Sequence, residues 1–255
     1  MIEIVKEDVI NLIKALDSNK AHGFDGISIR MLKLCNESIS KPLTLLYKNC
    51  LNQGIFPDIW KKANVIPVHK KNDKSIMSNY RPISLLPICG KLFERLIYNT
   101  LFNFFSQRNL ICCNQSGFRP GDSCVNQLIS IVHMIHKSFD ANPSLEVRGV
   151  FLDISKAFDK VWHDGLLCKL KSSGLRGNLF NLIESFLSNR YQRVVLNGQN
   201  SKWKLVRAGV PQGSILGPLF FFIYINDLQV GLKSEVKMFA DDTSLFSIVN
   251  DSQPS

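Results

Sequence analysis

The sequence predicts a mixed fold of α/β or α+β class, with a sheet backed by helices on one side. Three observations predict it. Apolar residues recur at helical spacing in several separate stretches, and short apolar runs bounded by turns lie between them. Hydrophobic residues make up 45% of the 255, enough to bury a large core.

Val9, Ile10, Leu12, Ile13 and Leu16 form the first helical stripe, which stops in the Gly- and Asp-containing stretch 19–26. Ser40, Pro42 and the apolar set Leu43, Leu46, Tyr47 and Cys50 predict a capped helix ending at Gly54. Residues 63–68 read as a strand. Leu92, Phe93, Leu96, Ile97, Leu101, Phe104 and Phe105 make residues 91–109 helical, and Ser123 caps another helix running towards Asp140. Residues 147–152 are a short apolar strand that ends in Asp153, and helical character returns over 155–170. A helix over 178–187, a hairpin of 193–197 with 202–206 across Gly198, and a buried helix from Gly217 follow. Last come two apolar strands, 236–240 and 243–249, separated only by Asp241 and Asp242, the length of a two-residue turn.

The net charge of +10 and pI of about 9.3 favour polyanionic partners. Between Lys61 and Arg95 lie eight basic and two acidic residues, a local balance of +6, although a solvated basic face is the plainer use of such a run. Seven cysteines with no C-x-x-C pair point to a reducing compartment. His133 and His136 stand one helical turn apart without a second ligand pair, so they read as ordinary helix residues rather than a zinc site. The first residues lack the basic end and apolar core of a secretory signal. The longest apolar run, 216–225, is far shorter than the ~20 residues needed to cross a bilayer. An intracellular protein without a membrane partner is expected.

Asp153 at one strand end and the pair Asp241 and Asp242 at a hairpin tip converge if their strands pair, because neighbouring strands lie ~4.8 Å apart. Converging carboxylates can share hard cations with oxygen ligands, and two magnesium ions there would suit in-line phosphoryl transfer. Taken singly, Asp153 serves equally as a helix cap and the Asp pair as turn residues. Arg119 lies in a Gly- and Pro-bounded turn, from which a guanidinium can grip triphosphate oxygens. Gly209, Val210, Pro211, Gln212 and Gly213 let backbone approach a ligand closely, and Gln212 can hydrogen-bond without base preference.

In order along the chain stand KAHGFDGIS from Lys20, YRPISLL from Tyr80, QSGFRPG from Gln115, FLDISKAFD from Phe151, GVPQGSILGP from Gly209 and FADD from Phe239. This series resembles the reverse transcriptases of non-LTR (LINE-type) retrotransposons, in particular the jockey-like branch. The resemblance implies an α+β right-hand polymerase with fingers and palm and without the thumb, since the chain ends 13 residues after Asp242. It implies an N-terminal helical extension over 1–60, fingers over 61–140 and palm over 141–255. It also implies an RNA-directed DNA polymerase that uses two Mg²⁺ ions, an RNA template, a DNA primer and dNTPs, working in the cytoplasm and nucleus.

The same resemblance makes Asp153, Asp241 and Asp242 the catalytic metal ligands, joined by the backbone carbonyl of Ile154. It places Phe158 beneath the sugar of the incoming nucleotide, where a ring would clash with a 2′-hydroxyl. Arg119, with Arg81 or Lys91, would hold the triphosphate, and Gln212 and Gly213 would line the nascent base pair. Lys61, Lys62, Lys70 and Lys71 would border the template through its phosphates. Two other readings stand beside it: a nucleic-acid-binding remnant without catalysis, and an RNA-copying RNA polymerase, for which an aromatic at residue 158 is unexpected.

Overall fold

A computed structural model describes residues 3–250. The first unit is helical. Helix α1 (Lys6–Ala15) buries Val9 and Ile13, and α2 (Ile29–Leu34) is capped by Ser28, whose hydroxyl accepts the Met31 amide. Helix α3 (Asn36–Gln53) starts earlier than the sequence predicts: Ser40 is an interior residue whose Oγ donates to the Asn36 carbonyl at 2.6 Å. Pro42 removes one amide donor without stopping the helix, because Leu43, Tyr47, Cys50 and Leu51 bury its inward face. The stop at Gly54 is as expected, at a left-handed φ of 67°.

Strand β1 (Lys62–His69) pairs antiparallel with β2 (Tyr80–Leu85), a strand the sequence did not announce. Pro82 obscures it, yet β2 is an edge strand and Pro82 faces Pro67, so the missing amide is tolerated. Helices α4 (Ile88–Gln107) and α5 (Cys124–Ala141) follow, the latter capped by Ser123 as expected. Strand β3 (Leu145–Asp153) ends at the predicted aspartate.

The helix expected over 155–170 is broken. A short 3₁₀ turn, Ala157–Lys160, precedes α6 (His163–Ser172), and Lys156 stands at a φ of 54°. The carbonyls of Phe158 and Val161 accept the amides of Val210 and Gly209, each at 2.8 Å, so a distant loop takes acceptors that a continuous helix would use.

Helix α7 (Gly177–Leu187) leads into β4 (Arg190–Leu196), which pairs with β5 (Gln199–Asn200) across Asn197 and Gly198 and then with β6 (Lys204–Val206). Strand β4 also runs parallel to β1, so one five-stranded sheet joins segments from both sides of residue 140. After α8 (Leu216–Ile225), strands β7 (Glu235–Phe239) and β8 (Asp242–Asn250) join β3 in a second, three-stranded sheet of order β3-β8-β7. The fold is α+β as expected, but with two sheets where one was predicted, because β1 and β2 recruit β4 to β6 rather than β3, β7 and β8.

Helix α8 is apolar on every side and sits in the middle of the core, with Phe220, Phe221 and Phe222 all buried. An aromatic cluster of Tyr47, Phe56, Trp60, Phe93, Phe186 and Phe220 fuses α3, α4, α7 and α8. No described helix is long and apolar enough to cross a membrane. All seven cysteines are free.

Candidate active site

The three-stranded sheet brings the aspartates together through its register. Asp153 stands opposite Asp242 on β8, and Asp242 stands opposite Phe239 on β7. Directly paired residues project to the same face. The turn residues are therefore Ala240 and Asp241, not Asp241 and Asp242, and Asp242 is already the first residue of its strand. Ala240 adopts a φ of 56°, where L-residues are strained. Asp153 and Asp242 are exposed and Asp241 is half-buried, while Met238 and Thr243 beneath them are sealed in the core.

The turn is clamped by the loop after Cys112. Gln115 is 1% exposed; its side-chain oxygen accepts the amides of Ala240 at 3.0 Å and Gly117 at 2.8 Å, and its amide nitrogen donates to the Ala240 carbonyl at 3.3 Å. Ser116 and Met238 continue the contact through main-chain bonds on either side. Gln115 is a site residue that sequence reasoning missed as an individual. Its one signal is that it opens the QSGFRPG series. Arg119, at the far end of this loop, is exposed.

Phe158 connects the loop to the core. Phe118 meets its ring edge-on at 5.9 Å, and Phe221 of α8 stacks against it at 4.9 Å. The 209–213 loop docks beside it. Gly209, at a φ of 85°, passes so close to Asp159 that a Cβ would lie 2.7 Å from its carbonyl oxygen, and His163 bonds the Gly209 carbonyl at 2.7 Å. The Gln212 carbonyl accepts the Ser84 amide at 2.7 Å, and Gly213 has a φ of 128° that favours glycine. Burial pushes the Asp159 carboxyl up, while the Lys156 charge and a Gln212 hydrogen bond pull it down.

Buried Glu94 holds the end of this loop. Its Oε2 accepts the amides of Ile215 at 2.7 Å and Leu216 at 3.1 Å, at the start of α8. Burial raises its carboxyl above 4.5 against those amides and the charges of Arg190 and Lys91. The folded carboxyl thus keeps its proton to higher pH than the unfolded one. Its contribution is whole below about 4.5 and is lost as pH climbs through the raised value. Glu94→Gln removes this dependence, so urea unfolding at about pH 5 and about pH 8 will show the variant gaining on the wild type as pH rises. A constant difference would contradict the assignment.

The basic residues are dispersed. Arg81 is exposed on β2 opposite Val68, and Lys91 is half-buried in the first turn of α4, where burial lowers its amine. Lys62 lies 5.8 Å from the Trp203 ring, and Lys70 and Lys71 are exposed after β1. Lys61 does not share that surface: it is 4% exposed and pairs with Asp58 at 2.9 Å. The acids, the 115–121 loop, Phe158 and the 209–213 loop are joined by the contacts above, and the bond between Ser84 and Gln212 links them to β2.

Among the described residues no three His, Cys, Asp or Glu side chains gather into a metal-holding group. The register supplies instead an opposed carboxylate pair, Asp153 and Asp242, with Asp241 adjacent and the Ile154 carbonyl one residue past β3. These are oxygen donors only, a set whose chemistry fits hard divalent cations.

The family described as Reverse transcriptase (RNA-dependent DNA polymerase) matches residues 68–252. The RNA-directed DNA polymerase from mobile element jockey of Drosophila melanogaster is 38% identical over 226 residues, covering 88% of this chain and 24% of that protein. The probable RNA-directed DNA polymerases from transposon BS and transposon X-element of the same organism are 37% and 36% identical, over 87% and 92% of this chain and 24% and 26% of theirs. The chain spans about a quarter of the length of these curated relatives.

Proposed function

The chain belongs to the reverse transcriptase (RNA-dependent DNA polymerase) family, and from that premise we propose that it is the polymerase domain of a non-LTR retrotransposon, adding dNTPs to a DNA primer on an RNA template. The observation that carries this reading is the register of β3 and β8, which sets Asp153 opposite Asp242 beside a turn that Gln115 clamps. Asp153, Asp241, Asp242 and the Ile154 carbonyl would hold two Mg²⁺ ions. When bound, these supply activation of the attacking hydroxyl and stabilisation of the pyrophosphate charge.

The remaining roles belong to the chain's own groups. Arg119, on the loop tied to the catalytic turn, grips the triphosphate, with Arg81 or Lys91 completing the clamp. Gln212 and Gly213 sit on a loop fixed to β2 and line the nascent base pair. Lys62, Lys70 and Lys71 contact template phosphates in a salt-dependent manner. Residues 1–60, 61–140 and 141–255 then act as helical extension, fingers and palm. Free cysteines suit the reducing cytoplasm and nucleus in which such an element works.

Phe158 packs between Phe118 and Phe221, which supports reading its ring as a held barrier to a 2′-hydroxyl. Phe158→Ala will therefore raise rNTP use relative to dNTP by roughly 10- to 100-fold in competing primer extensions. An unchanged sugar preference removes Phe158 from this role. A second reading, nucleic-acid binding without catalysis, is favoured by the excess of basic residues that contributes to the +10 charge. Salt-sensitive RNA binding with no Mg²⁺-dependent dTTP incorporation selects it.

A further inference from the structure

A cavity of about 220 Å³ lies against the 209–213 loop, walled also by β1, β2, β4 and β6, and none of the roles above uses Arg190, which lines it. Two of its lining residues are cations taken out of water: Arg190 is 2% exposed and Lys61 4%. Arg190 donates through Nη1 to the Phe186 carbonyl at 2.9 Å and lies 4.5 Å over the Phe186 ring, but its Nη2 meets no acceptor. A buried guanidinium donor left unmet is costly and calls for a ligand oxygen. Glu94 faces the guanidinium electrostatically, yet its Oε2 already accepts the Ile215 and Leu216 amides. Burial lowers Arg190 only to about 10, which leaves it charged at neutral pH.

We propose that this cavity is a phosphate subsite in which Arg190 and Lys61 hold one backbone phosphate of the template strand. Arg190 Nη2 supplies a charge-assisted bond to a non-bridging oxygen, and Lys61 has two ammonium protons beyond its bond to Asp58. Asp159, also in the wall, has the Lys156 charge and the Gln212 side chain beside it, so this acidic neighbour already has partners. The Ser84 bond to Gln212 places the subsite beside the loop that lines the nascent pair. Only the identity of the strand rests on the polymerase reading.

The test measures template affinity by fluorescence anisotropy without dNTPs, so a catalytically silent protein still reports. One uncharged methylphosphonate linkage is moved stepwise along the template. One position is expected to weaken wild-type binding roughly tenfold, the worth of a charge-assisted bond, and to weaken Arg190→Lys clearly less, since that variant keeps Lys61 and a charge opposite Glu94 but lacks Nη2. Should that variant not fold, the pair Glu94→Gln with Arg190→Gln, which removes both buried charges, carries the same expectation. Equal affinity for every linkage, or a pattern undiminished in the variants, overturns the subsite. Adding dTTP must leave the pattern intact. Its erasure would put the nucleotide's phosphate in the cavity and overturn the assignment to the strand.

Discussion

Gly117→Ala will cut nucleotide addition roughly 100-fold while sparing most of the fold. A Cβ at this position would lie 2.1 Å from the Ala240 amide nitrogen and 2.9 Å from its Cα, both main-chain atoms that no rotamer change can move. Ala240 has no slack, since it stands at a φ of 56° and both ends of the Gln115 amide hold it. The turn must therefore shift, and Asp241 is the next residue along it. Misplacing catalytic groups by about 1 Å costs on the order of 10²-fold in rate, whereas overpacking costs about 1–3 kcal/mol of stability. Primer extension and urea unfolding of the same preparation separate the two effects. An unchanged rate would show that the loop does not position the catalytic turn.

Asp153→Asn will abolish nucleotide addition, by roughly 10³-fold or more, without destabilising the protein. The substitution keeps the shape of an exposed side chain at the end of β3 and removes one of two like charges that face each other across the β3 and β8 pair. Directly opposed like charges destabilise a sheet, so unfolding free energy will stay level or rise slightly. Activity will respond in the opposite direction, because an amide is a poorer ligand for a hard divalent cation and loses the negative charge that the metals require. Loss of activity together with loss of stability would indicate a structural carboxylate instead.

Much of this site is legible in the sequence because strands end abruptly. The apolar runs of β3 and β7 stop at or just before the aspartates, which converge if their strands pair, and both strands do pair with β8. Features decided by distant partners are not legible. Strand β2 hides behind Pro82, which only its edge position excuses, and the break after Lys156 exists because the loop at Gly209 takes two carbonyls from the expected helix. Gln115 looks like one more polar turn residue until its amide is seen bonding a residue 125 positions away. Lys61 belongs to a basic run, yet a short 3₁₀ turn folds it inward onto Asp58.

The two sheets also divide the work physically. Gln212 is tied to β2 through Ser84, and the aspartates are carried by β3, β7 and β8. Helix α8 packs against α4 and α6, with Glu94 and Ser214 bonding its first amides and Phe221 supporting Phe158. Phe158 and the end of the 209–213 loop are thus anchored to one buried helix as well as to each other, the kind of rigid support that preorganised sites need.

The most direct test of the proposed polymerase is incorporation of labelled dTTP on a poly(rA) template with an oligo(dT) primer, with and without Mg²⁺, by the wild type and Asp153→Asn side by side. Mg²⁺-dependent extension by the wild type that vanishes in the variant is the expected result. Extension that survives the substitution would contradict the placement of the active centre at Asp153, Asp241 and Asp242.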